Sequence, residues 1–88
     1  MKTKVLYFFA EWCYPSVAQI PNVVNVCKRY KIPFNLIDVE TESGVNASIK
    51  MEVRNVPTIV ITNNGKEIKR IKGNHGYKEL DAGLKERR

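Results

Sequence analysis

The hydrophobic and polar positions follow two periodicities along the first third of the chain. Residues 4–10 form a continuous apolar run of aromatic and β-branched side chains, which is typical of a strand buried on both faces. Between residues 15 and 30 the apolar positions recur at helical spacing and predict one long helix. Pro21 lies inside that helix and removes a backbone hydrogen bond, so we expect a kink about one turn earlier.

The middle of the chain repeats the change from strand to helix. Residues 34–39 read as a second strand, and a strand, a helix and a strand in this order imply a right-handed parallel crossover. Residues 41–43 offer a helix cap before a shorter helix, roughly over 45–52.

An Asn-Gly pair dominates the pattern that follows. Residues 58–62 and 67–72 read as strands on either side of Asn63-Asn64-Gly65, which predicts an antiparallel hairpin. Residues 77–85 then predict a last helix with one apolar side.

Together these elements predict an α/β fold in the order β-α-β-α-β-β-α, with a four-stranded mixed sheet flanked by three helices. The chain has 88 residues and contains no repeat, linker or low-complexity segment. We therefore expect a single domain over residues 1–88. Arg87 and Arg88 are expected to form a solvated tail.

Composition narrows the class of protein. Hydrophobic residues make up 43% and charged residues 27% of the chain, as is ordinary for a globular domain. Glu11 ends the first apolar run, which is too short for a signal peptide, and no stretch approaches the roughly 20 residues that span a bilayer. We predict a soluble cytoplasmic protein, with a monomer as the default. In such a reducing compartment the two cysteines favour chemistry or burial over a structural disulfide.

The net charge of +6 raises the question of an anionic partner. The basic residues are spread along the chain, and no aromatic stacking platform accompanies them. We predict binding neither to nucleic acid nor to membranes. Electrostatic attraction to an acidic protein partner is kept as an alternative. Nucleic-acid binding remains an alternative that would show strong salt dependence.

The junction between the first strand and the long helix carries the candidate chemistry. Residues 9–16 read F-A-E-W-C-Y-P-S. A helix N-terminus offers unpaired N–H groups and the positive end of the helix dipole, which stabilise an anion such as a thiolate. Cys13 is therefore placed to act as a nucleophile. Pro15 suits the first helical turn, where its missing N–H donor costs nothing.

This junction resembles the active-site segment of the thioredoxin superfamily, whose usual form is A-E-W-C-G-P-C. Pro21 resembles the proline that kinks the following helix in that superfamily. The Val56-Pro57 pair resembles its loop with a cis proline facing the cysteine, and Gly73 resembles the glycine that lets a bound peptide approach. The resemblance covers about residues 4–85 and implies a minimal, glutaredoxin-like thioredoxin fold.

The resemblance also implies a thiol-disulfide oxidoreductase that reduces protein disulfides. Cys13 would attack a substrate disulfide and form a mixed disulfide, and Val56 would offer its backbone to an extended peptide. Ribonucleotide reductase is a candidate substrate, thioredoxin reductase or another thiol a candidate electron donor, and neither a metal nor a cofactor is expected. The substrate would dock against Trp12, Tyr14, Pro15, Val56, Pro57 and Gly73.

Two positions depart from the superfamily's pattern. Ser16 stands where a dithiol thioredoxin carries its resolving cysteine, so the intramolecular release of reduced substrate is lost and the mixed disulfide should persist. Tyr7 stands where the superfamily has a buried aspartate that assists proton transfer. We interpret the chain as an engineered or trapped form of a C-Y-P-C enzyme whose turnover is impaired by Ser16. A natural monothiol protein and a binding module without turnover are the alternatives.

The remaining cysteine and the one histidine receive structural interpretations. Cys27 is about 21 Å from Cys13 along a helix that rises about 1.5 Å per residue, so it cannot resolve the mixed disulfide. Its spacing with Val24 and Ile20 predicts a buried structural cysteine. His75 lies in a glycine-flanked turn and is predicted to be a surface residue rather than a ligand or a base.

Overall fold

The secondary structure follows the predicted order, with one helix divided in two. The computed structural model describes residues 2–86, so Met1 and the expected tail at Arg87 and Arg88 lie outside the described residues. The elements are β1 (Thr3–Phe9), α1 (Tyr14–Ala18), α2 (Ile20–Arg29), β2 (Phe34–Asp38), α3 (Glu42–Met51), β3 (Thr58–Asn63), β4 (Lys66–Lys72) and α4 (Tyr77–Lys85). None of the helices within residues 2–86 has the length and apolar character needed to cross a membrane.

The strands form one mixed sheet in the order β2-β1-β3-β4. β1 pairs with β2 in parallel and with β3 in antiparallel register, and β3 pairs with β4 in antiparallel register. The continuous apolar run in β1 is explained by this central place, because both faces of the strand are covered. The predicted fold class is thus confirmed.

Helices cover both faces of the sheet. One core lies on the side of α2 and α4 and includes Val5, Tyr7, Val26 and Leu80. A smaller core lies on the side of α3 and is centred on Phe8, with Val53 and Val60. Successive residues of β1, such as Tyr7 and Phe8, therefore point to opposite faces, as the pleat of a strand requires.

The long helix predicted for residues 15–30 is interrupted at Gln19, where α1 ends and α2 begins. Pro21 lacks an N–H group, so the carbonyl of Val17 loses its helical donor. The break lies close to the predicted kink.

The third helix begins earlier than predicted, at Glu42. Thr41 caps it as expected, since its Oγ1 accepts from Gly44 N at 3.0 Å. Its buried glycine carries no apolar side chain to mark the first turn in the sequence. The Asn-Gly hairpin is as predicted, with φ of 54° at Asn64 and 85° at Gly65.

Candidate active site

The active-site turn places Cys13 at the carboxyl end of β1 and directly before α1. Its backbone N–H donates to the Ala10 carbonyl at 3.0 Å, which folds the turn back on the strand. Its carbonyl accepts from Ser16 N at 3.0 Å and from Val17 N at 3.3 Å. The thiol is half-buried, so it keeps an open side toward solvent. A cysteine held in this way can meet a second sulfur.

The Val56–Pro57 segment lies opposite the thiol. The peptide bond between these residues is cis, and Cys13 Sγ is 3.9 Å from the Val56 carbonyl oxygen. The Pro57 carbonyl accepts from Gly73 N at 3.0 Å, and Gly73 has a φ of 89°, in the left-handed region that favours glycine. Cys13, Val56, Pro57 and Gly73 therefore come together from distant parts of the chain.

The side chain of Ser16 points inward, away from solvent, and is 0% exposed. Its hydroxyl accepts from Ala10 N at 3.1 Å. It donates its one proton to the carbonyl of Cys13 at 2.7 Å or of Ala10 at 3.0 Å. The hydroxyl thus satisfies the backbone beneath the turn and faces no open surface.

A groove of about 590 Å³ lies beside the turn, between Trp12, helix α3 and the segment before Pro57. Its lining residues are Trp12, Val39, Val45, Ser48, Ile49, Glu52, Val53, Arg54, Asn55 and Val56. Of the residues expected to bind substrate, this groove contains Trp12 and Val56. Tyr14, which follows Cys13 in the sequence, is 77% exposed. It does not line the groove, and neither do Pro15, Pro57 and Gly73.

A buried polar chain beneath the turn was missed by the sequence analysis. Tyr7 Oη donates to the Ser16 carbonyl at 2.5 Å and accepts from Gln19 Nε2 at 3.3 Å. Gln19 Oε1 accepts from the backbone N–H of His75 at 2.6 Å. Burial raises the pKa of Tyr7 to about 12; the Gln19 hydrogen bond opposes this shift and the nearby Cys13 adds to it. The phenol is therefore a neutral donor at physiological pH, in the place expected for an acid.

The spacing of Gln19 in the sequence could have indicated that its side chain is buried. It precedes Val23, Val26 and Cys27 at helical spacing, and all three are buried. A polar residue at that spacing lies on the core face of the helix, where it needs partners. Those partners come from β1 and from the loop before α4, which no local pattern could identify.

Cys27 is buried as predicted, whereas His75, which was predicted to lie at the surface, is only partly exposed and is held by two contacts. Cys27 is 0% exposed within the core, and burial raises the pKa of its thiol to about 11, as expected for an unreactive structural cysteine. The His75 ring is 28% exposed and contacts Glu79 Oε2 at 2.9 Å and the Lys72 carbonyl at 2.7 Å. Across residues 2–86, no three His, Cys, Asp or Glu side chains are grouped so that they could hold a metal ion.

The fold and the half-buried cysteine opposite a cis proline define a thioredoxin-fold protein, and comparison with known proteins agrees. The family model described as Thioredoxin matches residues 1–86. Thioredoxin-2 of Saccharomyces cerevisiae is 34% identical over 73 residues, covering 82% of this chain and 68% of the relative. Thioredoxin C-3 of Corynebacterium nephridii is 35% identical over 77 residues, covering 86% and 52%. The chain belongs to the thioredoxin family of redox proteins.

Solved structures support the same assignment. Thioredoxin of Fasciola hepatica superposes with a TM-score of 0.85 at 28% identity, covering 99% of this chain and 82% of that one. Thioredoxin 1 of Thermosipho africanus superposes with a TM-score of 0.81 at 27% identity, covering 93% and 90%. The chain spans only 38% to 68% of the length of the first curated relatives that it matches.

Proposed function

We propose that this chain reacts with protein disulfides through Cys13 and forms a mixed disulfide with its substrate. The observation that carries the proposal is the position of Cys13 Sγ, half-buried and 3.9 Å from the carbonyl of Val56, next to a cis proline. Ser16 is buried behind it, so Cys13 has the only sulfur at the surface of the turn.

The proposed step balances in a simple way. The thiolate of Cys13 attacks one sulfur of the substrate disulfide, the substrate S–S bond breaks, and a new S–S bond joins Cys13 to the substrate. The other substrate sulfur leaves as a thiolate and takes a proton from water. Ser16 has no sulfur to displace the bound half, so release requires an external thiol as the reductant.

The backbone beside the sulfur supports recognition of an extended peptide. Val56 N–H has no hydrogen-bond partner among residues 2–86, and the Val56 carbonyl contacts only the weak donor Cys13 Sγ. Both groups could pair with a substrate strand. The indole of Trp12 is 71% exposed and lines the adjacent groove, so it offers apolar area to the same peptide.

The origin of Ser16 divides the proposal into two forms. In the first, Ser16 replaces the resolving cysteine of a dithiol enzyme, and the chain as written stalls at the mixed disulfide. In the second, the protein is a natural monothiol. The second form is favoured by the hydroxyl's contacts at 2.7–3.1 Å, since a sulfur atom makes longer and weaker hydrogen bonds. A binding module without turnover is the third candidate.

The partners in this proposal follow from the chemistry. The substrate is a protein with an accessible disulfide, for which ribonucleotide reductase is one candidate. The reductant is thioredoxin reductase or another thiol donor, and the compartment is the cytoplasm, where thiols are kept reduced.

Reduction of insulin with dithiothreitol as donor tests the proposal and separates its forms. Incubated with insulin before dithiothreitol is added, the chain as written should accumulate a mixed disulfide, detected by mass spectrometry, which dithiothreitol then resolves. We expect Ser16→Cys to turn over if the chain is a trapped dithiol enzyme. No gain from Ser16→Cys would support the natural monothiol. A chain that forms no mixed disulfide at all would leave only the binding module.

A further inference from the structure

The loop over residues 73–76 borders the site but has little packing to hold it. Gly73, Asn74 and Gly76 are exposed, and none of the four residues is buried. The loop is tied to its surroundings by hydrogen bonds instead. Gly73 N donates to the Pro57 carbonyl at 3.0 Å, and His75 N donates to Gln19 Oε1 at 2.6 Å.

Gln19 links this loop to the active-site turn. It is 2% exposed and stands at the break between α1 and α2. A buried amide costs free energy unless both of its polar atoms are hydrogen-bonded, and both are bonded here. One atom reaches the loop and the other reaches Tyr7, which in turn bonds the Ser16 carbonyl.

The direction of every bond in this chain is determined. His75 N–H can only donate, so the atom facing it must be the amide oxygen of Gln19. The amide nitrogen then faces Tyr7 and donates to its oxygen, which leaves the phenol proton for the Ser16 carbonyl. A phenol can accept and donate at once, so Tyr7 suits this place and phenylalanine does not.

We infer that Gln19 is a positioning residue that holds the 73–76 loop against the active-site turn, with Tyr7 setting the orientation of its amide. The inference rests on the proposed function in one respect: the loop matters because a docked peptide disulfide would pass it to reach Cys13. The bridge from Tyr7 to His75 stands on its own geometry.

The test compares Gln19→Met, which keeps the length and removes both polar atoms, with the parent chain. Amide hydrogen exchange followed by NMR should show the His75 N–H exchanging at least about five-fold faster in the variant, since its acceptor is gone. Thr62→Val is the control, because Thr62 is a similarly buried polar residue in β3 that bonds Lys4. It should leave the exchange of His75 unchanged.

Two disulfide probes separate positioning from general loss of structure. Ellman's reagent is small and requires only the Cys13 thiolate, whereas insulin must dock. Gln19→Met should slow mixed-disulfide formation with insulin about three- to ten-fold and change the reaction with Ellman's reagent less than about two-fold. Equal slowing with both probes, or unchanged exchange at His75, would overturn the inference.

Tyr7→Phe keeps the inference testable if Gln19→Met folds poorly. It retains the acceptor for His75 but leaves the Gln19 amide without the group that orients it, so it should raise His75 exchange less than Gln19→Met. The double variant should be no worse than Gln19→Met alone, and full additivity would contradict the bridge. If the parent reacts with Ellman's reagent but never with insulin, the proposed function fails while the exchange data still decide the role of Gln19.

Discussion

Cys13 lies directly before α1 and Cys27 lies within α2, and the surroundings of the two cysteines are opposite. Cys13 ends an irregular turn, is half-buried and faces the Val56 carbonyl. Cys27 lies in regular helix, 0% exposed among the side chains of Val5, Val23 and Leu80. The difference teaches that backbone irregularity and an open side, rather than the residue type, create the reactive position.

The strongest way to break this comparison is to label both thiols. Iodoacetamide should modify Cys13 in the native protein. Cys27 should react only when the chain opens, at a rate at least about a thousand-fold lower than that of Cys13. Mass spectrometry after a time course in buffer and in urea measures both rates, with Cys13→Ser as the control for Cys27 alone. Comparable native rates would show that burial does not protect Cys27.

A second prediction compares residue 16, which is buried behind Cys13, with residue 27 in the core, by changing the hydroxyl or apolar group at each position. Ser16→Ala should cost about 1–3 kcal/mol of unfolding free energy, because the buried N–H of Ala10 loses its acceptor. Cys27→Ser should cost about 1–2 kcal/mol more than Cys27→Ala, because it places a hydroxyl in an apolar core.

Urea unfolding of the three variants measures these costs. Equal effects of a hydroxyl on the unfolding free energy at residues 16 and 27 would contradict this prediction. Such a result would mean that water or a local backbone carbonyl satisfies a polar group at residue 27.

Most of the fold could be predicted from the sequence because its cues are local. The apolar run of β1, the Asn-Gly turn and the helical spacing of Leu80 and Leu84 each report their own environment. The start of α3 was misjudged because Gly44 is buried for a different reason. A Cβ there would lie 1.7 Å from the Asp38 carbonyl oxygen, so close backbone approach replaces apolar packing.

The site was predictable only in part. Cys13 and Pro57 could be paired through the family resemblance, and the structure brings them together. Gln19 could not be paired with Tyr7 and His75, because their contacts join β1, the helix break and a loop that are far apart in sequence. Periodicity can show that a polar residue lies in a core, but it cannot name the group that satisfies it.

A third prediction extends the comparison to the two ends of β4. Gly65 and Gly73 both have left-handed φ values, 85° and 89°, so alanine at either position should cost about 1 kcal/mol of stability. Only Gly73 bonds the carbonyl of Pro57 beside the site. Gly73→Ala should therefore slow mixed-disulfide formation with insulin, whereas Gly65→Ala, the matched control, should not. Equal rates in the two variants would separate Gly73 from the docking surface.

The smallest expected effect is a pH dependence of folding stability that comes from His75, in the 73–76 loop beside the site. The hydrogen bond with Glu79, and next the Lys72 carbonyl, raise the pKa of His75 above its ordinary value. A raised folded pKa means that protonated His75 stabilises the fold at pH values below the unfolded pKa of about 6.5. That contribution is lost as pH rises through the folded pKa.

Urea midpoints on either side of this window measure the effect. The parent should lose more stability than His75→Gln between about pH 6 and pH 9, because glutamine does not titrate. Groups elsewhere titrate equally in both proteins, so only the difference between them reports on His75. If the two curves run parallel, protonation of the His75 ring adds no stability, and the 73–76 loop is held by hydrogen bonds that do not depend on that charge, among them those to Gln19 and Pro57.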